Sequence, residues 1–396
     1  MEIYLVGGAV RDTLLGLPVK DRDWVVVGGT PQQLLAQGYT PVGRDFPVFL
    51  HPRTHEQVAL ARTERKTAPG YQGFAIHAAP DVTLEQDLAR RDLTINAIAV
   101  PQAHTDAAGN FDPQRATLID PYGGRADLAA RQLRHVTDAF REDPVRILRV
   151  ARFAARFTEF SVAPDTLALM RAMVAQGEAA ALVAERVWQE LARGLMEQRP
   201  SRMLQVLRAC GADGVLLPEL FPQSTTVAEV SDRQNADAHL WRVLDHGASV
   251  SAPLPLRFAC LCLRAPSIQP LCERLRVPAD CTALAELAVR EHLAVQHCEA
   301  LDAAGLVQLL ERCDAFRRPG RVADLLQVAA CDAFAQSGIT GSDFIPHRIL
   351  TAALAASLSV STAALARRAL EQGLRGESIG QMIQAARIAA VRDHRG

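Results

Sequence analysis

The pattern of apolar and polar residues along this chain changes near residue 138. Before that point, short apolar runs are separated by polar turns, which is typical of strands, with a helical segment expected at Pro31–Gln37. After it, Ala, Leu and Arg recur at helical spacing almost to the end. The strand-like runs are Ile3–Val6, Trp24–Val27, Val48–Leu50, Val58–Ala61 and Ala97–Val100. The pattern predicts an α+β chain, with a small α/β head at 1–137 and an all-helical remainder.

Length and charge add limits to this picture. A chain of 396 residues is expected to fold as two to four domains, and its 49% hydrophobic content can fill their cores. The net charge of −1 gives no global basic field, so any nucleic-acid surface must be local.

The cysteines and the N-terminal residues indicate a compartment. All eight cysteines follow residue 200, and no spacing among them matches a zinc site, so they are expected to be buried thiols in a reducing compartment. The chain starts with "MEIYLVGGAVRD", without a basic leader, and no apolar run approaches about 20 residues. We therefore expect a cytoplasmic protein without a membrane partner.

Two acids one residue apart precede an apolar run in "DRDWVVVGG". On a strand, Asp21 and Asp23 would project to the same face, where two carboxylates about 5 Å apart repel by roughly 3 kcal/mol. A cation between them removes that cost, and hard oxygen ligands beside substrate phosphates suit Mg²⁺. The alternative is a solvated strand start in which Arg22 pairs with the acids. Glu64 is a candidate third carboxylate, or a plain surface acid.

Glycines and arginines upstream and downstream of the acids suggest phosphate contacts. Gly7 and Gly8 follow a strand, where backbone can approach a phosphate and Arg11 can add a charged donor; the alternative is a tight turn. In "RRDLTINAI", residues 90–98, Arg91 either contacts a triphosphate or ribose or pairs with Asp92. Asn96 is expected to fix backbone geometry rather than touch a substrate.

A helix rich in arginine is predicted in "REDPVRILRVARFAARF", residues 141–157. Asp143 followed by Pro144 is a good helix start. Four arginines at spacings of 3, 3 and 4 share one face, whereas Val150, Phe153 and Phe157 are expected on the opposite face. The face is either solvated or a set of planar donors for bases and phosphates. The arginines are Arg146, Arg149, Arg152 and Arg156.

Five motifs in this order resemble the class II tRNA nucleotidyltransferases, the family of bacterial CCA-adding enzymes. They are the Gly-Gly and Asp-x-Asp motifs, "RRDLTINAI", "DPYGGRADL" at 120–128 and "EDPVR" at 142–146. The similarity continues through 185–220 and is weaker beyond. The resemblance implies a polymerase-β-like nucleotidyltransferase head, a helical neck at 138–222 with a nucleotide-selecting helix, and a tRNA-binding body and tail at 223–396.

The resemblance also assigns an activity and its residues. It implies addition of C, C and A to the tRNA 3′ end from CTP and ATP without a nucleic-acid template, by a two-metal mechanism with Mg²⁺ that releases pyrophosphate. The partners implied are the tRNA acceptor region, ATP and CTP; the oligomeric state is not fixed, and a monomer is compatible. Asp21 and Asp23 would be the catalytic metal ligands. The nucleotide-binding residues would be Gly8, Arg11, Arg91, Asp143, Arg146, Arg149 and Arg152.

In this family Asp143 and Arg146 would select the base. Cytosine and adenine each offer an amino donor beside a ring acceptor, which match a carboxylate acceptor and a guanidinium donor. Guanine and uracil reverse that pattern, at a cost of about 1–3 kcal/mol per unsatisfied group. The pair alone does not separate CTP from ATP, so the growing RNA end or a movement of the head must change the pocket.

The body raises a second question, because some relatives carry an HD phosphohydrolase there. That site needs a His-Asp pair, but the chain has no such dipeptide, and Leu263 and Arg264 stand in its place. His239 and His246 remain. We expect a degenerate HD-like region at about 225–335 without phosphohydrolase activity, while the arginine-rich segment 367–378 could contact tRNA phosphates.

Three alternatives to CCA addition stay open from the sequence. A bacterial poly(A) polymerase shares the head motifs. A partial enzyme would add only CC or only A. An inactive RNA-binding protein would keep the fold without the chemistry.

Overall fold

The computed structural model describes residues 1–42, 48–66, 74–221, 227–339 and 343–395. The chain forms two compact units. Unit 1 comprises Met1–Gly194 and Arg202–Leu216, and unit 2 comprises Leu195–Ser201 and Leu217–Gly396. The first is mixed and the second is helical, which confirms the α+β class. The finer division into head, neck and body at 137 and 222 stays a prediction.

Unit 1 contains the strands of the described chain and its first helices. The strands are β1 (Glu2–Val6), β2 (Asp23–Val27), β3 (Thr40–Val42), β4 (Val48–Leu50), β5 (Gln57–Leu60), β6 (Thr63–Lys66), β7 (Phe74–His77), β8 (Ala99–Pro101), β9 (Gln132–Leu133) and β10 (Ser161–Val162). The helices are α1 (Gly8–Leu14), α2 (Pro31–Ala36), α3 (Leu84–Ala89), α4 (Gly124–Ala129), α5 (Val145–Arg156), α6 (Pro164–Ala175), α7 (Ala184–Leu195), α8 (Pro200–Cys210) and α9 (Asp213–Leu216).

Six of these strands form the main sheet, in the order β3-β4-β5-β2-β1-β8. Strand β2 lies inside the sheet, antiparallel to β1 and parallel to β5, and its residues 24–26 are all buried. A central strand covered on both faces accounts for a continuous apolar run rather than an alternating one. In this register Val6, at the end of β1, lies opposite Asp23, at the start of β2. The Gly-Gly turn and the Asp-x-Asp acids therefore meet at one edge of the sheet.

The predicted strands are confirmed within a residue or two, but the prediction that both acids lie on one strand was wrong. Strand β2 begins at Asp23, so Asp21 precedes the strand instead of sharing its pleat. Strands β3, β6, β7, β9 and β10 were not predicted. The segments "TPV" and "TERK" are short and polar, and each is ordered by pairing with a neighbouring strand.

Unit 2 is built from helices wherever the structure describes it. They are α10 (Val227–Ser249), α11 (Leu254–Cys262), α12 (Gln269–Leu275), α13 (Ala279–Gln296), α14 (Ala303–Arg312), α15 (Gly320–Ser337), α16 (Ile345–Leu358), α17 (Thr362–Glu371) and α18 (Glu377–Arg395). Among the described residues, no individual helix is long and apolar enough to cross a bilayer; α16 and α17, bent by 46°, reach that length and apolar composition only when taken together. All eight cysteines are buried and free, as the sequence predicted.

Candidate active site

A cleft of about 1230 Å³ in unit 1 brings the predicted site residues together. All nine of them line it, from four separate stretches of the chain: Gly8, Arg11, Asp21, Asp23, Arg91, Asp143, Arg146, Arg149 and Arg152. The lining holds ten arginines and one lysine against five aspartates and one glutamate. Although the whole chain is nearly neutral, this cleft carries a concentrated positive charge that suits a polyanion.

The two acids of the Asp-x-Asp motif lie at the edge of the sheet, facing the cleft. Displacement of water by the surrounding protein raises the pKa of Asp23 above its ordinary value. The charge on Asp21 raises it further, whereas Arg91 and Arg149 partly oppose the shift. Within the described residues, neither carboxylate forms an ion pair or accepts a side-chain hydrogen bond, so the alternative in which Arg22 pairs with the acids is not seen. Arg22 instead donates to Asn110.

Donor chemistry at this pair fits a divalent metal of the kind that nucleotidyltransferases use. The two carboxylates offer hard oxygens, and the charge on Asp21 disfavours ionisation of Asp23, an effect that a bound cation would offset. The described residues hold no cluster of three or more His, Cys, Asp or Glu arranged for a metal. Two carboxylates completed by substrate phosphates match the usual Mg²⁺ pattern. The backbone of Glu64 lies in β6, but its side chain is outside the described residues.

The Gly-Gly turn brings backbone and Arg11 to the cleft. Gly7 has φ of 71°, a conformation that favours glycine, and a Cβ there would lie 3.0 Å from Nη1 of Arg91, which would have to shift slightly. Arg11 is buried, where its guanidinium pairs with Asp12 at 2.8 Å and donates to Oδ1 of Asn96 at 2.5 Å. Burial lowers the pKa of Arg11, although Asp12 opposes this shift.

Asp92 pairs with a residue far along the chain and not with its neighbour Arg91. Its Oδ2 accepts from Nε of Arg149 at 2.7 Å, and its Oδ1 accepts from the Asn96 amide at 2.9 Å. Arg91 pairs with Asp87 at 3.1 Å, so of the two alternatives for Arg91 the salt bridge with Asp92 is not formed. Asn96, expected to act through backbone geometry, uses its side chain to connect Arg11 with Asp92.

The four arginines of α5 do share one side of the helix, but the aromatic residues lie with them. The guanidinium carbon of Arg152 is 4.8 Å from the centre of the Phe153 ring, and those of Arg11 and Arg149 are 5.1 and 5.8 Å away. Phe153 also lines the cleft and stacks on Phe157, with ring centres 6.0 Å apart. The prediction that Phe153 faces away from the arginines was therefore wrong.

Asp143 and Arg146 lie at the start of α5. Oδ1 of Asp143 accepts from the Val145 amide at 3.1 Å, as expected of a residue that begins a helix. Arg146 is buried and donates from Nη1 to the Ala139 carbonyl oxygen at 2.7 Å. The pair therefore offers an acceptor and a donor at the wall of the cleft from positions that the backbone fixes.

Helix α7 supplies cleft residues that the sequence analysis missed. Their signal is a polar stripe at helical spacing within "ERVWQELARG". Arg186 forms a bidentate pair with Asp143, and Nε of Arg152 donates to Glu190 at 2.6 Å. The stripe consists of Arg186, Gln189, Glu190 and Arg193.

The motif at 120–128 supports the cleft without lining it. Asp120 accepts hydrogen bonds from the amides of Gly124 and Arg125, which caps helix α4. A Cβ on Gly124 would collide with the backbone oxygen of Thr94, so α4 packs directly on the turn at Thr94–Asn96. Gly124 therefore allows α4 to pack against the turn that carries Asn96.

His239 and His246, the histidines considered for the HD-like region of unit 2, each contact a side chain of α15. Nε2 of His239 lies 2.6 Å from Oδ1 of Asp332, whose other oxygen accepts from Gln296 at 2.5 Å. The His246 ring stacks on Phe334 at 3.7 Å.

Comparison with known proteins identifies the family. A profile described as "Poly A polymerase head domain" matches residues 3–134, and one described as "Probable RNA and SrmB- binding site of polymerase A" matches residues 159–223. The "Multifunctional CCA protein" of Variovorax paradoxus (strain S110) is 55% identical, over 99% of both chains. That of Verminephrobacter eiseniae (strain EF01-2) is 56% identical, over 99% of this chain and 98% of its own. This chain belongs to the bacterial CCA-adding enzymes.

Solved structures of CCA-adding enzymes share the fold. The Bacillus stearothermophilus CCA-adding enzyme in complex with CTP superimposes with a TM-score of 0.68 at 24% identity, covering 99% of this chain and 89% of that one. A CCA-adding enzyme in complex with ATP gives 0.66 at 22%, covering 98% and 86%. The family makes this chain a nucleotidyltransferase, and poly(A) polymerase, a partial enzyme and an inactive RNA-binding protein are not favoured.

Proposed function

We propose that this chain adds C, C and A in order to the 3′ end of tRNA from CTP and ATP, without a nucleic-acid template. The observation that carries the proposal is the convergence of nine site residues, from four stretches of sequence, on one cationic cleft of about 1230 Å³. A triphosphate needs many donors, and a growing RNA end needs room beside it. The cleft offers both.

Asp21 and Asp23 hold the divalent metal in this proposal, and Mg²⁺ is the ion that their oxygens suit. When bound, the metal supplies a more acidic attacking 3′-hydroxyl and charge neutralisation at the leaving pyrophosphate. Asp21 and Asp23 contribute carboxylate oxygens free of ion pairs among the described residues. Arg91 and Arg149, which act electrostatically on Asp23, add positive charge where the triphosphate would lie.

The arginines orient the nucleotide. Arg11, Arg91, Arg149 and Arg152 each have a carboxylate or amide partner that fixes part of the guanidinium. A guanidinium has five N–H donors, so the remaining donors can meet phosphate oxygens at fixed positions. Because these groups are preorganised, binding the triphosphate requires little ordering of side chains.

Base choice rests on Asp143 and Arg146. The carboxylate accepts from the amino group of cytosine or adenine, and the guanidinium donates to the ring nitrogen beside it. Uracil and guanine present a carbonyl and a ring N–H in those places, which leaves both protein groups without a match.

Incorporation by the purified chain tests this function. The substrate is a tRNA transcript lacking CCA, supplied with Mg²⁺ and one labelled nucleotide at a time. We expect two cytidylates and then one adenylate, with no addition after the third. Long adenylate tails would indicate a poly(A) polymerase instead. Addition of only CC or only A would indicate a partial enzyme, and tRNA binding without incorporation would indicate an inactive RNA-binding protein.

The expected lack of phosphohydrolase activity and the cytoplasmic location stay predictions. Exposed Arg367, Arg368 and Arg375 remain candidates for tRNA phosphate contacts. Nickel-dependent hydrolysis of cyclic nucleotides by the pure protein would contradict the predicted lack of phosphohydrolase activity.

A further inference from the structure

One face of α7 reaches the cleft and contacts the residues proposed to read the base. Arg186, Gln189, Glu190 and Arg193 are spaced 3, 1 and 3, which places them on one side of a helix. Nothing in the proposed chemistry requires these side chains to touch the nucleotide. Two of them contact groups that do: Arg186 contacts Asp143, and Glu190 contacts Arg152.

The carboxylate of Asp143 accepts three hydrogen bonds from two groups. Nη1 of Arg186 donates to Oδ1 at 3.0 Å and Nη2 to Oδ2 at 2.7 Å, which is the bidentate fork geometry of arginine and carboxylate. The Val145 amide also donates to Oδ1, at 3.1 Å. Each carboxylate oxygen has two acceptor positions, so Oδ1 is filled and Oδ2 keeps one open among the described residues.

A second contact acts in the reverse sense. Glu190 is buried and accepts from Nε of Arg152 at 2.6 Å. Here α7 supplies the acid and α5 the arginine, whereas in the first contact α7 supplies Arg186 and the acid is Asp143. Both contacts connect the two helices across the same wall of the cleft.

We propose that α7 positions the base-selecting groups, and that Arg186 is a specificity-determining positioning residue because it leaves Asp143 with one acceptor in one orientation. The inference rests on the proposed function. A carboxylate free to rotate would turn a second oxygen toward the ring N–H of uracil or guanine. Held by Arg186, it presents a single acceptor, which matches one amino hydrogen of cytosine or adenine.

Two variants separate charge from geometry. Arg186→Gln removes both, whereas Arg186→Lys keeps the charge but loses the planar fork. We expect the preference for CTP over UTP, measured as a ratio of kcat/KM, to fall about tenfold in Arg186→Gln and about threefold in Arg186→Lys. The matched control is Arg131→Gln, which breaks the exposed ion pair with Glu159 outside the cleft and should keep the wild-type ratio.

The result that would overturn the inference is equally specific. A folded Arg186→Lys with the wild-type ratio, or an equal loss of kcat/KM for all four nucleotides, would reduce Arg186 to a structural role. If Arg186→Gln does not fold, the lysine variant decides, and failure of both to fold also assigns a structural role. Failure of the proposed function is distinct, because the wild-type chain itself would then add neither CTP nor ATP.

Discussion

Asp92 receives a 2.7 Å hydrogen bond from Nε of Arg149, which joins two residues 57 positions apart. Burial disfavours the charged carboxylate, but Arg149 and the Asn96 amide outweigh that effect and hold the pKa of Asp92 well below its ordinary value. This hydrogen bond attaches the segment that contains Asp92 and Asn96 to helix α5, which contains the cleft arginines.

Replacing Asp92 with Asn is expected to destabilise the fold by about 3 kcal/mol at pH 7, because Arg149 would be left without its carboxylate. A depressed pKa stabilises the folded state above the unfolded value of about 3.9, and this contribution is lost as the pH falls through the folded value. In urea denaturation, the difference in the free energy of unfolding between wild type and variant should therefore be constant from pH 7 to 5. It should become smaller below pH 4. Asp112→Asn, which breaks an exposed pair with Arg115, is the control. An equally small effect of both substitutions would contradict this role.

The ring of Phe153 is expected to matter for nucleotide affinity. Three guanidinium groups lie within 5.8 Å of its centre, and each cation–π contact stabilises by about 0.5–1 kcal/mol. Phe153→Leu keeps apolar bulk but loses the ring, so KM for CTP and ATP should rise about tenfold while kcat changes little. Steady-state kinetics with a tRNA ending in CC or lacking CCA would measure both. Phe160→Leu, a buried ring outside the cleft lining, controls for lost packing, and an equal rise in KM there would exclude a specific role for Phe153.

The acids of the cleft allow a test of metal binding apart from turnover. Asp21→Asn and Asp23→Asn each remove a carboxylate charge, and we expect each to reduce nucleotide addition by at least about a thousandfold. Binding of Mn²⁺ in the presence of a non-hydrolysable CTP analogue, followed by electron paramagnetic resonance, should weaken in both variants, while the Kd for tRNA stays unchanged. Asp81→Asn, at a highly exposed position, should leave both readouts at the wild-type value. Undiminished Mn²⁺ binding in either cleft variant would remove that residue from the proposed ligands.

Features that depend on residues close together in the sequence were easier to predict than contacts between residues far apart in it. The strands around Asp23 were predictable because a run of buried valines is a local signal. The position of Phe153 was misjudged even though the information was local, since about 100° of rotation per residue places it between Arg146 and Arg149 on the helix. The partner of Asp92 could not be read from its neighbours, because the sheet and α5 bring Arg149 to it.

The same limit applied to α7. A polar stripe is visible in the sequence, but most such stripes face solvent, and only the packing of α7 against α5 shows that Arg186 meets Asp143. The nine site residues were found together because they came from a family resemblance, which carries three-dimensional information that spacing alone lacks.

The buried thiols give a prediction for the whole chain. All eight cysteines are buried and free, so Ellman's reagent at pH 8 should label few in the native protein and all eight in guanidinium chloride. Burial raises the pKa of Cys210 to about 11. An unfolded thiol ionises near pH 8.5, so the free energy of unfolding should fall as the pH rises from 8 toward 9.5, because the folded state keeps this proton. Cys210→Ala should reduce that fall by about 1 kcal/mol and lower the denatured thiol count by one. Rapid labelling of several thiols in the native protein would show that the cysteines are accessible and that burial does not protect them.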